Sequence, residues 1–275
     1  NHAAPMTCRV NTSRISRDDL LAKWMAAGLE ALTVGEHGMT LRQPRPVNEV
    51  PGFADGLCSV QDAAAQCAAP LLLKDLRAQG ASRLRVLDAC AAPGGKTAHV
   101  LEYVKGEAEV VALDIDAQRS HRIHQNLERL GLHAKVIAAD AGQPDKWWDG
   151  QCFDAVLLDA PCTASGIVRR HPDVRWLRRE SDVNQLAAIQ KQLLAKLWPL
   201  VREGGRLLYC TCSVFQEEGD AQVQAFVQHN TDALICPSLG HLRPQSAQTD
   251  EALSDNLQGD HDGFYYALFE KRTPT

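Results

Sequence analysis

The sequence predicts a doubly wound, Rossmann-like α/β fold, in which a mostly parallel sheet carries helices on both faces, preceded by a small N-terminal α+β subdomain. Two observations predict the main fold. From residue 57 onward, short apolar strands alternate with helical segments, as in parallel sheets with crossover helices. Acidic residues or cysteines then follow one strand after another, at the carboxyl ends where such sheets bind ligands.

The composition narrows the class of protein. The hydrophobic content of 45% and charged content of 23% are those of an ordinary globular protein. No apolar run approaches the eighteen or so residues that span a membrane, so we expect a cytoplasmic protein without membrane contacts. The net charge of −5 does not indicate nucleic-acid binding, which would need local basic patches. The chain begins with Asn1 rather than Met, and we expect it to be part of a longer protein.

The cysteines indicate reduced thiols. The chain has nine at irregular spacings and no visible signal peptide, which argues against a disulfide framework. No C-x-x-C pair occurs, so we predict no zinc site or other metal site.

Residues 1–56 are predicted to form the small α+β subdomain and residues 57–275 the main domain. Thr7–Val10 has the pattern of a strand, and a helix is expected to start at Ser16, which is a good N-cap residue. Prolines and a glycine between residues 44 and 52 mark the boundary. The subdomain is either a packing appendage or a unit that grips substrate, and its sequence leaves both interpretations open.

The main domain is predicted to begin with a helix over Val60–Leu76 that leads to the first strand. The predicted strands are Arg85–Ala89, Glu109–Asp114, Ala134–Ala139, Phe153–Leu158, Arg206–Cys210 and Phe264–Phe269. The predicted helices between them are Lys96–Val104, Ala117–Leu130, Asn184–Val201 and Glu217–Gln228. We expect the last strand to be antiparallel, in a terminal hairpin.

The segment Leu84–Thr97 combines a buried strand, a glycine turn and a helix start, which together form a cradle for a nucleotide. A P-loop needs its first glycine where Cys90 stands, and the dinucleotide pattern G-x-G-x-x-G is also missing. Asp88 precedes the turn and Asp114 closes the next strand, where a carboxylate accepts hydrogen bonds from ribose hydroxyls. This combination favours S-adenosyl-methionine over ATP or NAD, with a purely structural glycine turn as the alternative.

Two cysteines follow neighbouring strands. Cys162 closes the segment that begins at Asp159, and Cys212 lies just after the next strand, so both are expected in one cleft. A thiolate that adds to carbon 6 of a pyrimidine activates carbon 5 by covalent catalysis. Because a free thiol has a pKa of roughly 8.5, a cation such as Lys96 would be needed to ionise it at neutral pH. Spacing alone favours Cys162 as the nucleophile, by analogy with DNA cytosine-5 methyltransferases.

The segments Asp88–Thr97, Asp159–Arg170 and Tyr209–Ser213, followed by Glu217-Glu218, resemble the Nol/Nop/Sun RNA cytosine-5 methyltransferases. The resemblance covers essentially the whole chain and is closest to the bacterial branch that acts on 16S ribosomal RNA. It implies a class I methyltransferase with a seven-stranded sheet, S-adenosyl-methionine as cofactor and 5-methylcytosine as product. The expected partner is 16S ribosomal RNA with an unpaired or loop cytosine, because the base must leave any stack to reach the cleft.

The resemblance also implies roles for individual residues. It makes Cys212 the nucleophile, contrary to the spacing argument, and gives Cys162 a part in product release, with Lys96 and Asp159 close to the target cytosine. The implied cofactor-binding residues are Cys90, Ala91, Ala92, Pro93, Gly94, Gly95, Lys96, Asp114, Asp140 and Asp159. Cys210 replaces an alanine that is commoner in the family and is interpreted as a spectator. The relatives carry an N-terminal NusB-like RNA-binding domain that this sequence lacks.

A basic stretch after Cys162 is predicted to contact RNA phosphates. Its candidate residues are Arg169, Arg170, His171 and Arg175, with a solvated helix face as the alternative. We expect Trp176 to be a buried anchor rather than a stacking surface, and we expect Trp147 and Trp148 to pack. The rival functions are a noncatalytic RNA-binding assembly factor and, less favoured, a P-loop-like ATPase. We expect a monomer.

Overall fold

The computed structural model describes residues 4–76, 83–244 and 260–272, which form a four-stranded and a seven-stranded sheet. The smaller sheet belongs to the N-terminal part. Its elements are β1 (Met6–Val10), α1 (Arg17–Ala26), β2 (Ala31–Val34), β3 (Gly38–Leu41) and β4 (Cys58–Val60). The strand order is β2-β3-β1-β4, and each neighbouring pair is antiparallel.

Helix α1 closes one face of the small sheet. The Ser16 side chain caps the helix by accepting a 3.1 Å hydrogen bond from the backbone N–H of Asp19. Leu20 and Trp24 are fully buried against sheet residues such as Met39. The subdomain therefore has an apolar core of its own.

Strand β4 lies beyond the predicted boundary at residue 57, where it pairs with β1 through Val10 and Cys58. The predicted helix over Val60–Leu76 is wrong in its first part, because Val60 still belongs to β4. The helix there, α2, spans only Ala68–Leu73 and follows a single 3₁₀ turn. The division into 1–56 and 57–275 stays a prediction.

The seven-stranded sheet has the order β10-β11-β9-β8-β5-β6-β7. Its strands are β5 (Leu84–Asp88), β6 (Ala108–Asp114), β7 (Lys135–Ala138), β8 (Phe153–Asp159), β9 (Val201–Thr211), β10 (Ala233–Leu242) and β11 (Phe264–Lys271). Strands β5 to β9 are parallel, whereas β11 pairs antiparallel with both β9 and β10. The predicted mostly parallel sheet and its terminal antiparallel hairpin are confirmed.

Helices cover both faces of this sheet. They are α3 (Gly95–Val104), α4 (Ala117–Leu130), α5 (Val174–Leu177), α6 (Glu180–Leu197) and α7 (Asp220–His229). Successive strand residues enter opposite cores, since Val86 packs in the cluster with α2, α3 and α4 while Leu87 packs in the cluster with α6 and α7. Within the described ranges, no helix is long and apolar enough to cross a membrane.

Helix α6 begins four residues earlier than predicted. Asp182 accepts a 3.0 Å hydrogen bond from the backbone N–H of Arg179, which starts the helix at Glu180. The helix also ends before Val201, which already belongs to β9. These changes leave the carboxyl ends of β5, β6, β8 and β9 at one edge of the sheet, above which the predicted site lies.

Candidate active site

The turn after β5 has the backbone conformation that its glycines allow. Gly94 has a φ of 96°, and a Cβ atom there would lie 3.1 Å from the Cα atom of Ile123 on α4. Only glycine fits this position without strain. The turn therefore packs directly on α4, and a Cβ atom on Gly95, the first residue of α3, would lie 3.9 Å from Gln61 Nε2.

The buried Asp88 carboxylate supports this turn from below. Thr97 donates a 2.7 Å hydrogen bond to its Oδ2, while its Oδ1 is buried and has no partner among the described residues. Burial raises the pKa of Asp88 to about 7, although the Thr97 hydroxyl acts in the opposite direction. An unpartnered buried oxygen beside a glycine turn is a place where a ligand donor fits.

The predicted acidic residues line one cavity at the carboxyl ends of the strands. Asp114 accepts a 3.1 Å hydrogen bond from the backbone N–H of Ala92, and Asp140 is held by the backbone N–H of Gly142 at 2.8 Å. A cavity of about 300 Å³ is lined by Cys90, Ala92, Asp114, Ile115, Asp140, Asp159, Cys162 and Cys212. An adjoining space of about 180 Å³ is lined by Asp88, Ala91, Pro93, Gly95, Lys96 and Asp159. The structure thus brings together every predicted cofactor residue except Gly94, which packs on α4 instead.

A larger cavity of about 720 Å³ lies elsewhere. It is lined by residues from the small sheet, α2 and the terminal hairpin, among them His37, Pro70 and Leu268. Its size does not make it the site, because the predicted acids and thiols line the smaller cavity at the strand ends.

The two predicted thiols are in contact. Parallel pairing of β8 with β9 places Asp159 opposite Cys210, and the loops that follow bring Cys162 Sγ to 3.4 Å from Cys212 Sγ. Both side chains are partly exposed at the cavity. The predicted shared cleft is therefore present. Cys210 is fully buried and lies beneath the cavity, with its Sγ 3.5 Å from Asp159 Oδ1.

Lys96 and Asp159 form an ion pair beside the thiols. Lys96 Nζ donates a 2.6 Å hydrogen bond to Asp159 Oδ2. Burial alone would lower the pKa of Lys96, but the Asp159 carboxylate beside it outweighs burial and raises the pKa. The ammonium group is therefore charged at neutral pH, and Cys212 lies within its field.

The basic stretch after Cys162 divides into paired and exposed residues. Arg169 donates a 2.6 Å hydrogen bond to Asp262, and Arg170 donates to Asp262 and, at 2.9 Å, to Asp62. These guanidinium groups are already neutralised by carboxylates of the fold. His171 and Arg175 are exposed. A role in RNA binding stays a prediction for all four, and the ion pairs weigh against Arg169 and Arg170.

The expectation that Trp176 is buried is wrong, since its side chain is 83% exposed and that of Leu177 is 69% exposed. Trp176 follows Val174, the one half-buried residue of the short helix α5, by two positions and therefore faces the opposite side of the helix. Trp147 and Trp148 pack as predicted. Their indole N–H groups donate to the backbone carbonyls of Asp140 and Gln151.

Sequence reasoning missed Glu218. It is fully buried between the two thiol loops, while its neighbour Glu217 is exposed. The Glu217-Glu218 pair formed part of the family resemblance, but two adjacent carboxylates do not reveal which one the fold buries. In residues 4–76, 83–244 and 260–272, no group of three or more His, Cys, Asp or Glu side chains is placed to hold a metal ion.

A family model described as 16S rRNA methyltransferase RsmB/F matches residues 76–270. The chain belongs to this family. A second model, the ferredoxin-like domain of RsmF/B-like methyltransferases, matches residues 1–48. The RsmB/F match confirms the predicted resemblance, and together with the sheet topology it confirms the class I methyltransferase fold.

The curated relatives are named as small-subunit ribosomal RNA methyltransferases. The Ribosomal RNA small subunit methyltransferase B of Shigella sonnei (strain Ss046) is 43% identical over 99% of the chain and 61% of its own length. Its counterpart from Escherichia coli O139:H28 is 42% identical over the same shares. The chain therefore spans about three fifths of the length of the curated relatives that it matches.

Solved structures of the same fold come from Pyrococcus horikoshii. A methyltransferase homolog protein is 27% identical, with a TM-score of 0.79 over 98% of the chain and 87% of that protein. NSun6, solved with SFG, is 19% identical, with a TM-score of 0.81 over 99% of the chain and 92% of that protein. At that identity the second likeness shows the fold of this RsmB/F chain and nothing further.

Proposed function

We propose that this RsmB/F chain is the catalytic part of a cytoplasmic methyltransferase that uses S-adenosyl-methionine to methylate carbon 5 of an unpaired cytosine in 16S ribosomal RNA. The single observation that carries the proposal is the 3.4 Å contact between Cys162 and Cys212, on the wall of a cavity that also contains three strand-end acids. Family membership supports the RNA substrate, since the curated relatives are named as small-subunit ribosomal RNA methyltransferases.

The residues present fit S-adenosyl-methionine. Asp114 closes β6 where a carboxylate suits ribose hydroxyls, and the exposed Ile115 offers an apolar surface on the same cavity wall. The unpartnered Oδ1 of Asp88 and the adjoining cavity that Gly95 lines leave room for polar ligand atoms at the turn. We assign the ribose to Asp114 and the adenine end to Asp140. When bound, the cofactor supplies the methyl group that carbon 5 accepts.

We assign the attack on cytosine to Cys212. Lys96 Nζ is a positive charge near Cys212, and a thiol nucleophile is favoured beside a cation. At Cys162, by contrast, contact with the Cys212 thiol, then burial, then the charges of Cys212 and Glu218 raise the pKa well above its usual value. A protonated Cys162 supports the assignment of the attack to Cys212.

The proposed steps follow from these charge states. The Cys212 thiolate forms a bond to carbon 6, and the electron pair of the double bond between carbons 5 and 6 moves toward carbon 5. Asp159 and Lys96 lie at the same edge of the cavity and are assigned to the polar edge of the base. After carbon 5 has reacted, a base or water removes its proton. The sulfur–carbon bond then breaks, its electrons return to sulfur, and Cys162 assists this release.

Methylation of 16S RNA by the full-length protein tests the proposal, with a denaturing gel to detect covalent adducts. Wild type should transfer methyl groups, Cys162→Ala should accumulate a protein–RNA adduct, and Cys212→Ala should form neither adduct nor product. An adduct in Cys212→Ala but not in Cys162→Ala would reverse the two thiol roles. A wild type that binds the cofactor but methylates no RNA would instead favour a noncatalytic assembly factor.

A further inference from the structure

Glu218 is a buried carboxylate that contacts both thiol loops. Its side chain is completely buried. Glu218 Oε1 accepts a 2.9 Å hydrogen bond from the backbone N–H of Thr163, and Oε2 accepts a 2.5 Å hydrogen bond from the Thr163 hydroxyl. Thr163 directly follows Cys162, so the carboxylate fixes the backbone next to one thiol.

The same residue fixes the other thiol loop through its backbone. The Glu218 carbonyl accepts hydrogen bonds from the Tyr209 hydroxyl at 2.8 Å and from the Thr211 hydroxyl at 3.3 Å. Thr211 directly precedes Cys212. One residue therefore holds the neighbour of each thiol, and this explains why two loops from different strands meet with their sulfur atoms in contact.

Gln190 on α6 completes the link from the helix side. Its Nε2 donates to Glu218 Oε1 at 3.0 Å and to the Pro161 carbonyl at 2.9 Å, while its Oε1, 3.0 Å from the Tyr209 hydroxyl, shares that single proton with the Glu218 carbonyl. Each polar atom of the Gln190 side chain is thus committed to this network. Helix α6 therefore supports the network rigidly.

The charge of Glu218 has no cationic partner within the described part of the chain, since its recorded donors are the neutral groups of Thr163 and Gln190. The titratable groups that act on Cys162 are Cys212, Tyr209 and Glu218, whereas Lys96 acts on Cys212. A negative charge at Glu218 disfavours a thiolate at Cys162. Glu218 therefore acts on the protonation of Cys162 as well as on the position of its loop.

We propose that Glu218 is the positioning residue that aligns the two thiols, because it holds Cys162 through Thr163 and Cys212 through Thr211, so that Cys212 can attack. This inference rests on the proposed function, because it assigns the division of labour between the two thiols of that site. Glu218 contacts neither substrate nor cofactor in this role and acts through Thr163, Thr211 and its charge.

Alkylation of Cys162 tests the charge role without any RNA. The full-length protein with Cys212→Ala is treated with iodoacetamide across a pH range, and modification of the Cys162 peptide is followed by mass spectrometry. Adding Glu218→Gln, which keeps the size of the side chain, should raise the rate near neutral pH by about threefold or more, equivalent to half a pKa unit. Adding Glu217→Gln, the exposed neighbour, is the matched control and should leave the rate unchanged.

Turnover tests the alignment role. In the otherwise wild-type protein, Glu218→Gln should lower kcat about tenfold or more, with little change in cofactor affinity, whereas Glu217→Gln should leave kcat unchanged. Glu218→Asp keeps the charge but shortens the reach to Thr163, so it should lower kcat without accelerating alkylation of Cys162.

The outcomes separate this inference from the proposed function. Equal alkylation rates in the Glu218→Gln and Glu217→Gln variants would overturn the charge role, and full kcat in Glu218→Gln would overturn the alignment role. If neither Glu218 variant folds, Glu218 acts through stability alone and the inference fails. If wild type methylates nothing, the proposed function fails, while the alkylation result still decides whether Glu218 disfavours a thiolate at Cys162.

Discussion

Arg9 joins the small sheet to helix α3 of the main domain, and its replacement by Met is expected to destabilise the protein strongly. The Arg9 guanidinium is fully buried and donates to both carboxylate oxygens of Glu102, at 2.8 and 2.9 Å. It also donates to Gln61 and, at 2.9 Å, to the Gly95 carbonyl at the start of α3. One side chain thus holds both the linker after β4 and the turn beside Lys96.

The magnitude follows from the charge that is left behind. Arg9→Met leaves Glu102, only 2% exposed, without its counter-ion, and breaking a buried pair in this way costs about 3–5 kcal/mol. Replacing both partners by apolar residues of similar size is often close to neutral. The double variant Arg9→Met/Glu102→Leu should therefore recover most of the stability that the single variant loses.

Urea unfolding of wild type, both single variants and the double variant measures these differences as a double-mutant cycle. Arg42→Met is the matched control, because Arg42 pairs with Glu30 at 3.6 Å on the exposed surface and should cost no more than about 1 kcal/mol. A loss below that level for Arg9→Met would refute the reasoning. So would a double variant that is no more stable than the single one.

Three further predictions concern the site. Burial raises the folded-state pKa of Asp88 to about 7, above its unfolded value. The contribution of Asp88 to stability is therefore greatest at low pH and falls by roughly 1.4 kcal/mol per pH unit as pH rises toward 7. Urea unfolding across pH should show this slope in wild type and lose it in Asp88→Asn. Trp176→Ala should weaken binding of single-stranded 16S fragments by about 1–3 kcal/mol, and Trp176→Phe should largely restore the affinity. The control Met25→Ala, at another exposed apolar side chain, should not alter the affinity, and equal affinities in all variants would exclude stacking. Arg175→Ala should reduce by about one the slope of log K against log salt concentration for RNA binding. Arg169→Met should instead lower the melting temperature, because it breaks two ion pairs. The reverse pattern would restore Arg169 as a phosphate contact.

The main sheet and the cavity could be predicted because they depend on local patterns. Apolar strands that end in Asp88, Asp114 or Asp159 specify both the sheet edge and the polar groups above it. The neighbouring order of β8 and β9 followed from the fold class, and it placed Cys162 beside Cys212.

The features that the sequence did not predict either depend on contacts between residues far apart in the chain or lie in segments too short to show a periodicity. Arg169 pairs with Asp262, which lies 93 positions later, so a basic stretch that resembles an RNA contact is largely neutralised. The exposure of Trp176 could not be predicted, because its helix has only four residues, too few for an apolar periodicity to show which side faces inward. Sequence alone could not distinguish Glu218 from Glu217, since only the packing of the loop after β9 buries one of them.

The pairing of Arg169 and Arg170 with Asp262 has a consequence for the order in which the protein matures. The far end of the loop after Cys162 is fixed by a carboxylate just before β11 and by a hydrogen bond from the Gly263 N–H to the Gly166 carbonyl at 2.9 Å. Because synthesis proceeds from the N-terminus, the cofactor turn emerges from the ribosome long before this loop can close. We therefore expect a nascent chain to acquire its nucleotide cradle first and the fixed position of the segment 166–170 only after residue 263 has been made.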